Sequence, residues 1–494
     1  MQISIASGSG SGDDFQSVVV VFVSCQQGSI VTSTTPGSVP QVVIVGGGFG
    51  GLETARSFRK SNVQVTVVDR HNYHLFQPLL YQVATGGLSP ANIATPLRSI
   101  FRRQANCEVL MAEVLDFDLD QKRLILADGT LSYDHLVVAA GATHSYFGHE
   151  DWAAFAPGLK TLQDATSIRR KVFLAFEAAE RERDPMIREE MMTFVVVGGG
   201  PTGVELAGAL SEIARHTIRN DFRHIHPEDA RIIIVEAAEH VLAHYPAELS
   251  RRAADRIRNL GIEIYTQTRV TNITDEQVCL SSEDGEKVIR TQTVLWAAGV
   301  HGSPLGKKLA EACGRETDRA GRVEVTSGMN VEGQDDIYVI GDLANCTDGA
   351  GEKMPGLAPV AIQQAQYVAK RILANISGSM LQEPFTYHDR GTMATIGRAQ
   401  AVVKVGKRES VGFIAWLMWL VVHLLQIVQF QSRLLILVQW TWNYLTFSRS
   451  ARIITSDEKV ILIRDNEASD ELSTGNPDSE NDTRGGTNDE VAEE

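Results

Sequence analysis

The chain has 494 residues, of which 43% are hydrophobic and 22% are charged, and it carries a formal net charge of −15 at pH 7. This composition indicates a folded protein large enough for two or three domains, and it excludes an intrinsically disordered chain. Most of the negative charge lies in residues 464–494, which we predict to be a disordered acidic tail, and the remainder has no basic field of the kind that binds nucleic acid.

Five cysteines are scattered along the chain, without a C-x-x-C pair or the spacing of a metal site. They indicate reduced thiols in a cytosolic setting, and no metal site is predicted. Residues 1–38 are rich in Ser, Gly, Thr and Gln around one short apolar run, 18–23, that lacks a basic flank. We predict a disordered extension there, with an unusual export signal as the alternative.

The first nucleotide-binding pattern spans residues 41–69. An apolar β-branched run leads into Gly46-x-Gly48-x-x-Gly51, a helix-forming segment and a second apolar run that ends at Asp69. The first glycine permits a tight turn, the second lets the backbone approach a pyrophosphate, and the third lets helix and strand pack closely. Asp69 is placed to accept hydrogen bonds from a ribose. This order of elements predicts a dinucleotide site.

The next segment contains a helix and several short strands. A helix is predicted from Ser89 to about Arg103, because Ser followed by Pro is typical of a helix start. Residues 108–119 and 122–126 alternate as strands. A short buried strand, 133–141, ends in Ala-Ala-Gly. Small residues at that point serve either close packing or the close approach of a cofactor to Gly141.

The opening pattern recurs further along the chain as Gly198-x-Gly200-x-x-Gly203, again between an apolar strand and a helix. Its closing acid is Glu236, and no basic residue follows it closely. A carboxylate there favours the free 2′-hydroxyl of NADH and repels the phosphate of NADPH. This unit also closes with Ala-Ala-Gly, ending at Gly299. Such an internal repeat predicts two nucleotides held face to face, such as a flavin and a nicotinamide.

A strand that ends in an acid, followed by a helix, is a third pattern that fits a flavin. Residues 336–342 form a predicted buried strand with Asp342 at its carboxyl end, and a helix begins near Pro359 and runs to about residue 374. Asp342 fits the ribityl chain of a flavin. The helix N-terminus carries partial positive charge, which would stabilise negative charge on the pyrimidine edge of the ring.

Two apolar runs, 411–430 and 434–447, dominate the C-terminal region. They contain four of the six tryptophans and are flanked by Lys and Arg, as is typical of a membrane interface. We predict two helices that lie in the membrane surface through residues 411–447. A transmembrane hairpin and a buried pair of core helices are the alternatives.

These motifs closely resemble those of the type II NADH dehydrogenases, the NADH:quinone oxidoreductases that do not pump protons. The resemblance covers about residues 40–463, and the stretch 76–90 and the tryptophan-rich end are its most specific parts. It implies an α/β fold of two Rossmann-like dinucleotide-binding units, the second inserted in the first, followed by an amphipathic, apolar, helical membrane-binding region. The matching segments are GGGFGGL (46–52), FQPLLYQVATGGLSP (76–90), GGGPTGVELAG (198–208), LWAAGV (295–300), GDLA (341–344) and APVAIQ (358–363).

The resemblance also implies ligands and roles. It implies a hydride passed from NADH to a tightly, non-covalently bound FAD, then two electrons passed to ubiquinone or menaquinone in the respiratory chain. It places the enzyme peripherally on the cytoplasmic face of the inner membrane and allows a homodimer. Glu205 is expected on the nicotinamide–flavin side and Gln363 at the quinone pocket. The expected FAD contacts are Gly46, Gly48, Gly51, Asp69, Val114, Gly141, Asp342 and Ala361, and the expected NADH contacts are Gly198, Gly200, Gly203, Glu236 and Gly299.

The domain boundaries follow from these units. We predict FAD-binding parts at 39–160 and 306–400, an NADH-binding domain at 161–305 and a membrane-associated region at 401–463. One departure from the family pattern concerns the quinone motif, Ala-Gln-x-Ala-x-Gln, in which Pro359 replaces the first glutamine while Gln363 is kept. The replacement leaves the preference for a quinone headgroup open.

Competing functions are weighed by what they require. A disulfide reductase of the same fold needs a redox cysteine pair after the first unit, where the chain has Phe76-Gln77-Pro78 instead, so dithiol chemistry is excluded. A sulfide:quinone oxidoreductase needs cysteines on both sides of the flavin, and Cys346 alone does not meet that requirement. A NADH-sensing flavoprotein and a reductase of soluble acceptors stay as alternatives. Each candidate site residue also has a purely structural interpretation. Glu205 would then be an acid on a helix surface, and Gln363 a polar residue that caps contacts along its helix.

Overall fold

A computed structural model describes residues 39–349, 351–379, 381–446, 449 and 451–454. The predictions for 1–38 and 464–494 lie outside the described residues. The strands are β1 (Gln41–Val45), β2 (Gln64–Asp69), β3 (Tyr73–Leu75), β4 (Ala94–Pro96), β5 (Cys107–Met111), β6 (Val114–Asp118), β7 (Arg123–Leu126), β8 (Gly129–Ser132), β9 (His135–Val138), β10 (Ala142–His144), β11 (Thr193–Val197), β12 (Arg231–Val235), β13 (Ile262–Tyr265), β14 (Arg269–Ile273), β15 (Gln277–Ser282), β16 (Gly285–Arg290), β17 (Thr293–Trp296), β18 (Val300–Gly302), β19 (Val323–Glu324), β20 (Ile337–Val339), β21 (Ala344–Asn345), β22 (Thr392–Gly397), β23 (Gln400–Val405) and β24 (Arg408–Gly412).

α-Helices connect the strands of the two larger parallel sheets. The longest, α5 and α10, have 20 and 19 residues. The α-helices are α1 (Phe49–Ser57), α2 (Leu80–Ala84), α3 (Pro90–Ile93), α4 (Leu97–Phe101), α5 (Leu162–Arg181), α6 (Pro185–Met191), α7 (Pro201–Glu212), α8 (Ala247–Asn259), α9 (Pro304–Ala312), α10 (Ala358–Ile376), α11 (Phe413–Gln426) and α12 (Phe430–Thr446).

Two parallel sheets form the centre of the molecule. The first has the order β20-β9-β1-β2-β5 and the second the order β13-β12-β11-β17. The inner strands β1, β2, β11 and β12 are rich in Val and Ile and buried on both faces, as expected where helices cover both sides of a parallel sheet. Because β20 pairs with β9, the chain returns to the first sheet after completing the second. The predicted insertion of one Rossmann-like unit in another is therefore confirmed.

A narrow antiparallel ribbon joins the two units where the chain passes between them. Strand β10 leaves the first unit and pairs with β18, which leaves the second. In this register Ala142 lies opposite Gly302 and His144 opposite Val300. The ribbon fixes the carboxyl ends of the two parallel sheets near one another, where ligands of open α/β sheets bind.

The predicted helix from Ser89 to Arg103 is wrong. The chain forms the single turn α3, then the strand β4 and then the short helix α4. Pro96 lacks an amide hydrogen and disfavours helical geometry in the residue before it, and Ala94–Pro96 pairs instead with β3. Helix α1 begins at Phe49, inside the glycine motif.

The C-terminal region is a sheet followed by two helices. Strands β22, β23 and β24 form an antiparallel sheet, and helix α7 of the second unit packs against β22. At that contact a Cβ on Gly208 would lie 1.9 Å from the carbonyl oxygen of Ile396, so only glycine fits. The first apolar run begins in β24, and its helix α11 starts at Phe413. None of the helices in the described part of the chain combines the length and apolarity needed to cross a bilayer.

Candidate functional site

The first glycine loop forms a cradle whose middle residue faces open space. Gly46 has φ +105°, and a Cβ there would lie 2.4 Å from the carbonyl oxygen of Ala139. A Cβ on Gly51 would lie 1.8 Å from the carbonyl oxygen of Gly46. A Cβ on Gly48 would meet nothing within 4 Å. The outer glycines are therefore needed for the turn and its packing, and the middle one leaves room for a pyrophosphate.

The second glycine loop repeats this geometry. Gly198 has φ +107°, and a Cβ on it would lie 2.8 Å from the carbonyl carbon of Ala297. A Cβ on Gly203 would lie 1.9 Å from the Gly198 oxygen, whereas one on Gly200 would meet nothing within 4 Å. Helices α1 and α7 begin directly at these loops, so free amides of a helix N-terminus face each cradle. Both loops fit a dinucleotide.

The closing acid of each unit holds its own glycine loop. The Asp69 carboxylate accepts hydrogen bonds from the amides of Gly47 (2.6 Å) and His71 (2.7 Å). Glu236 accepts equivalent bonds from Gly199 (2.6 Å) and Ala238 (2.7 Å). A carboxylate has about four acceptor positions, so each acid retains capacity for ribose hydroxyls. The two acids occupy equivalent places in the two units.

A buried histidine supports the first loop and was not predicted from the sequence. His74 Nδ1 lies 2.9 Å from the carbonyl oxygen of Gly47, and its ring meets the edge of Phe49. Burial lowers the pKa of His74 to about 4, so the ring is neutral at physiological pH. Its Nε2 is buried without a hydrogen-bond partner among the described residues.

The other predicted FAD contacts lie around the carboxyl edge of the first sheet. Val114 is buried at the start of β6, two residues after Ala112, whose amide donates to the Asp69 carbonyl. Gly141 follows β9 with φ +67°, and a Cβ on it would meet nothing within 4 Å. The open space at Gly141 fits the close approach of a cofactor.

Asp342 lies in a short 3-10 turn after β20, and its carboxylate is 4.0 Å from the ammonium group of Lys160. Ala361 is in the first turn of α10, where its amide already donates to the carbonyl oxygen of Leu357. The turn is fixed by a residue that sequence reasoning missed. Gln364, which is buried, accepts a hydrogen bond of 2.7 Å from the Gly341 amide.

The side chain of Gln363 is occupied within the protein. Its Nε2 donates to the carbonyl oxygen of His388 and its Oε1 accepts from the amide of His388, both at 3.0 Å. These two hydrogen bonds hold the segment before β22 against helix α10. The structure does not bring it into the cavity that contains Glu205.

Glu205 lies in α7, two residues after Gly203, in a cavity of about 120 Å³ between the second unit and the C-terminal helices. Its Oε1 accepts a hydrogen bond of 3.3 Å from the amide of Thr395, and Tyr81 also lines the cavity. Burial raises the pKa of the Glu205 carboxyl to about 8, because the charged form is poorly solvated there. The carboxyl is therefore mostly protonated at neutral pH.

The far wall of this cavity comes from the C-terminal helices. Trp419 on α11 and Trp440 on α12 line it, and the Trp440 indole donates a bond of 2.7 Å to Gln82. Beyond α12, Arg449 pairs with Glu212 at 2.7 Å. The tryptophan-rich helices therefore pack against the segment around Gln82. This segment, 76–90, is also among the most specific parts of the resemblance.

The outward faces of α11 and α12 are apolar and exposed. His423 on α11 is partly buried, and its Nδ1 is 2.7 Å from the carbonyl oxygen of Trp419. Exposed apolar side chains recur at helical spacing along the outer surface. They include Ile414, Leu417, Val421 and Leu425 on α11, and Leu434, Val438, Trp442 and Leu445 on α12.

Two protein families match the chain. Residues 40–365 match the family described as pyridine nucleotide-disulphide oxidoreductase, and residues 389–450 match the one described as NDH2 C-terminal domain. The second match contains the sheet β22–β24 together with α11 and α12. The four described cysteines are free thiols.

Several known proteins are similar over most of the chain. The type II NADH:quinone oxidoreductase Ndh of Mycobacterium tuberculosis is 44% identical over 425 residues, which cover 85% of this chain and 91% of that protein. NdhA of the same organism is 43% identical, covering 84% and 89%. The solved structure of NDH2 from Plasmodium falciparum in complex with NADH covers 85% of this chain and all of that one, with a TM-score of 0.76. At 19% identity the last likeness shows the fold alone.

Proposed function

We propose the following mechanism for this chain, which belongs to the type II NADH:quinone oxidoreductases. The enzyme oxidises NADH and reduces a quinone in the respiratory chain. The cradle of Gly46, Gly48 and Gly51 would hold FAD, which would supply a two-electron acceptor for the hydride of NADH. The observation that supports this function is the pair of glycine cradles, each of which is held by an acid. The cradles lie on two parallel sheets whose carboxyl edges are joined by the β10–β18 ribbon.

The residues that hold the ligands are divided between the two units. We assign Gly46, Gly48, Gly51, Asp69, Val114, Gly141, Asp342 and Ala361 to FAD, and Gly198, Gly200, Gly203, Glu236 and Gly299 to NADH. The open space at the middle glycine of each loop supports this assignment.

Glu205 is the proposed proton source for quinone reduction. Converting a quinone to a quinol takes up two electrons and two protons, and NADH brings the two electrons with one proton. The second proton has to come from the medium through the protein. Burial raises the pKa of Glu205 to about 8, so the carboxyl carries a proton at neutral pH. Its cavity is lined on one side by helices α11 and α12, whose outer faces are apolar. The cavity's contact with α11 and α12 supports a role for Glu205 in passing that proton from the nicotinamide–flavin side to a quinone that arrives from the membrane.

Gln363 keeps its prediction as a residue of the quinone region, but both its amide nitrogen and its amide oxygen are hydrogen-bonded to His388. We propose that it acts by fixing the segment before β22 against α10 rather than by binding quinone directly. Pro359 on the same helix supports this indirect role, since it removes the other amide side chain of the motif.

The exposed apolar faces of α11 and α12 are the proposed contact with the membrane. A patch this large on a soluble surface is otherwise costly, and interfacial helices bury such a face in the headgroup boundary. We propose peripheral attachment to the cytoplasmic face of the inner membrane, in preference to the transmembrane hairpin. The homodimer and the domain boundaries stay predictions.

Steady-state kinetics test the function. NADH oxidation by the purified flavoprotein with a short-chain quinone is expected to follow a two-step exchange, seen as parallel double-reciprocal lines. Release of FAD on denaturation identifies the cofactor. A NADH-sensing flavoprotein would be reduced without sustained turnover, and a reductase of soluble acceptors would turn over equally well with ferricyanide and gain nothing from quinone.

Nucleotide preference tests the role of Glu236. The double variant Glu236→Ala/Ala237→Arg is expected to raise the ratio of kcat/KM for NADPH to that for NADH by about 10²-fold, because it removes a carboxylate that repels the 2′-phosphate and adds a cation. Glu239→Ala is the matched control, since this exposed acid lies three residues away. An unchanged ratio in the double variant would contradict the assignment.

A further inference from the structure

Phe147 has a backbone conformation that a bulky residue rarely adopts. Its φ is +56°, and its side chain is 68% exposed. Left-handed geometry is disfavoured for a residue with a large side chain, and such strain persists only when its surroundings enforce it, often at ligand sites. Burial cannot account for the conformation, because the ring faces solvent.

The neighbouring residues hold Phe147 in this position. Tyr146 points inward, where its hydroxyl donates to the carbonyl oxygen of Ala156 at 2.8 Å. The Trp296 indole donates to the Ser145 carbonyl at 2.9 Å, and the Phe147 amide donates to the Ser145 hydroxyl at 3.3 Å. With Tyr146 anchored inward and Ser145 tied to β17, the left-handed turn directs the Phe147 ring outward.

The ring lies against Gly299, one of the residues assigned to NADH. A Cβ on Gly299 would be 2.5 Å from Cζ of Phe147 and 3.0 Å from the Ser145 carbonyl oxygen. Gly299 itself has φ +68°. The missing side chain at this position therefore accommodates the aromatic ring, which explains the second Ala-Ala-Gly sequence.

This contact is at the rim of the second nucleotide crevice. In the order β13-β12-β11-β17 the strand order reverses between β11 and β17, and ligands bind outside the carboxyl ends of strands at such a point. The Gly198 loop follows β11 and Gly299 follows β17. The Phe147 loop follows β10, the strand that comes from the first unit. The ring thus lies on the side of the crevice toward the first unit.

We propose that Phe147 is a positioning residue for NADH, forming the aromatic wall against which the nicotinamide riboside half of the nucleotide packs. The inference rests on the proposed NADH site. A flat, exposed ring at a fixed place stacks well on another planar ring, and a nicotinamide between the second cradle and the first unit is such a ring. The adenosine half is assigned to Glu236 and the glycine loop, which follow β12 and β11, whereas Phe147 contacts Gly299 after β17.

Ligands with and without the nicotinamide separate this role from a structural one. The holoenzyme is titrated with NAD⁺ and with ADP-ribose, which lacks the nicotinamide, using flavin fluorescence or calorimetry. Phe147→Ala and Phe147→Gly are expected to weaken NAD⁺ binding by about tenfold and to change ADP-ribose binding by less than about twofold. Phe147→Tyr keeps the ring and is expected to retain wild-type affinity.

The glycine variant also separates the ring from the strain. Glycine adopts a positive φ freely, so the melting temperature of Phe147→Gly is expected to equal or exceed that of the wild type although its nicotinamide affinity is reduced. KM for NADH is expected to rise with kcat nearly unchanged, as when ground state and transition state lose the same contact. Met111→Ala, which truncates another exposed apolar side chain at the end of β5, is the control.

Two results would overturn the inference. One is an equal loss of affinity for NAD⁺ and ADP-ribose accompanied by a lower melting temperature, which would assign Phe147 to the stability of the loop. The other is an unchanged NAD⁺ affinity in Phe147→Gly. Both differ from failure of the proposed function, in which the wild-type holoenzyme itself would bind neither nucleotide nor turn over NADH.

Discussion

Replacing Glu205 by glutamine is expected to slow quinone reduction at neutral pH by about 10²-fold or more, the typical contribution of a positioned proton donor. Reduction of the bound flavin by NADH is expected to change little, because hydride transfer needs no acid or base. Stopped-flow spectroscopy resolves the two half-reactions. The same rate loss in both would contradict the role, whereas Glu189→Gln on the exposed surface of α6 is expected to affect neither.

The pH dependence gives a second test of the same residue. The wild-type rate of quinone reduction is expected to fall as the pH rises through about 8, where Glu205 loses its proton. Because the folded-state pKa is above that of the unfolded chain, folding retains a proton between about pH 4.5 and 8, and stability falls with rising pH across this window. In Glu205→Gln both the inflection of the rate and this part of the stability change are expected to disappear.

Introducing charge on the outer surface of the C-terminal helices is expected to release the enzyme from membranes. Ile414 is 68% exposed and Val438 is 60% exposed, so neither contributes to the core. A buried aliphatic side chain contributes about 1.5 kcal/mol or more to membrane binding, and a carboxylate reverses the sign. Ile414→Glu/Val438→Glu is therefore expected to lower partitioning into vesicles by at least about 10²-fold.

Vesicle flotation measures this effect, and the melting temperature reports whether the fold is intact. Turnover with a water-soluble quinone is expected to persist in the double variant. Met186→Glu serves as the control, since Met186 is 74% exposed on α6 and is not part of the apolar faces. Undiminished flotation of the double variant would rule out α11 and α12 as the membrane contact.

The parts of the fold that follow from local spacing could be predicted from the sequence. The two glycine motifs and their flanking apolar runs define both cradles, because turn, strand and helix are contiguous in the chain. The sheet β22–β24 was not predicted, since the positive φ in the turn between β22 and β23 falls on Ala399 (+57°) and not on the neighbouring Gly397. The helix from Ser89 was overextended because the pairing of β4 with β3 is a tertiary contact.

Side-chain partners far apart in sequence explain the remaining differences at the site. Burial raises the pKa of Glu205, and part of that burial comes from the C-terminal region around Thr395, 190 residues away, so the shift has no local signature. Nothing in the sequence indicates that the Gln363 side chain has a partner. Its partner His388 lies 25 residues away in a segment without regular secondary structure, so periodicity could not reveal the contact. The positive φ at Phe147 could not be deduced either, because the bond that ties Ser145 in place comes from Trp296, 151 residues away.

The close contact between Gly208 and the Ile396 carbonyl has a practical consequence for making a soluble enzyme. Apolar residues of the C-terminal region, including Ile396, Trp419 and Ile436, belong to the same buried cluster as Val196 and Leu206 of the second unit. A truncation before residue 389 would strip that cluster of its cover and give an insoluble, unfolding protein. Crystallisation or screening therefore calls for polar replacements on the outer helix surface in a full-length chain.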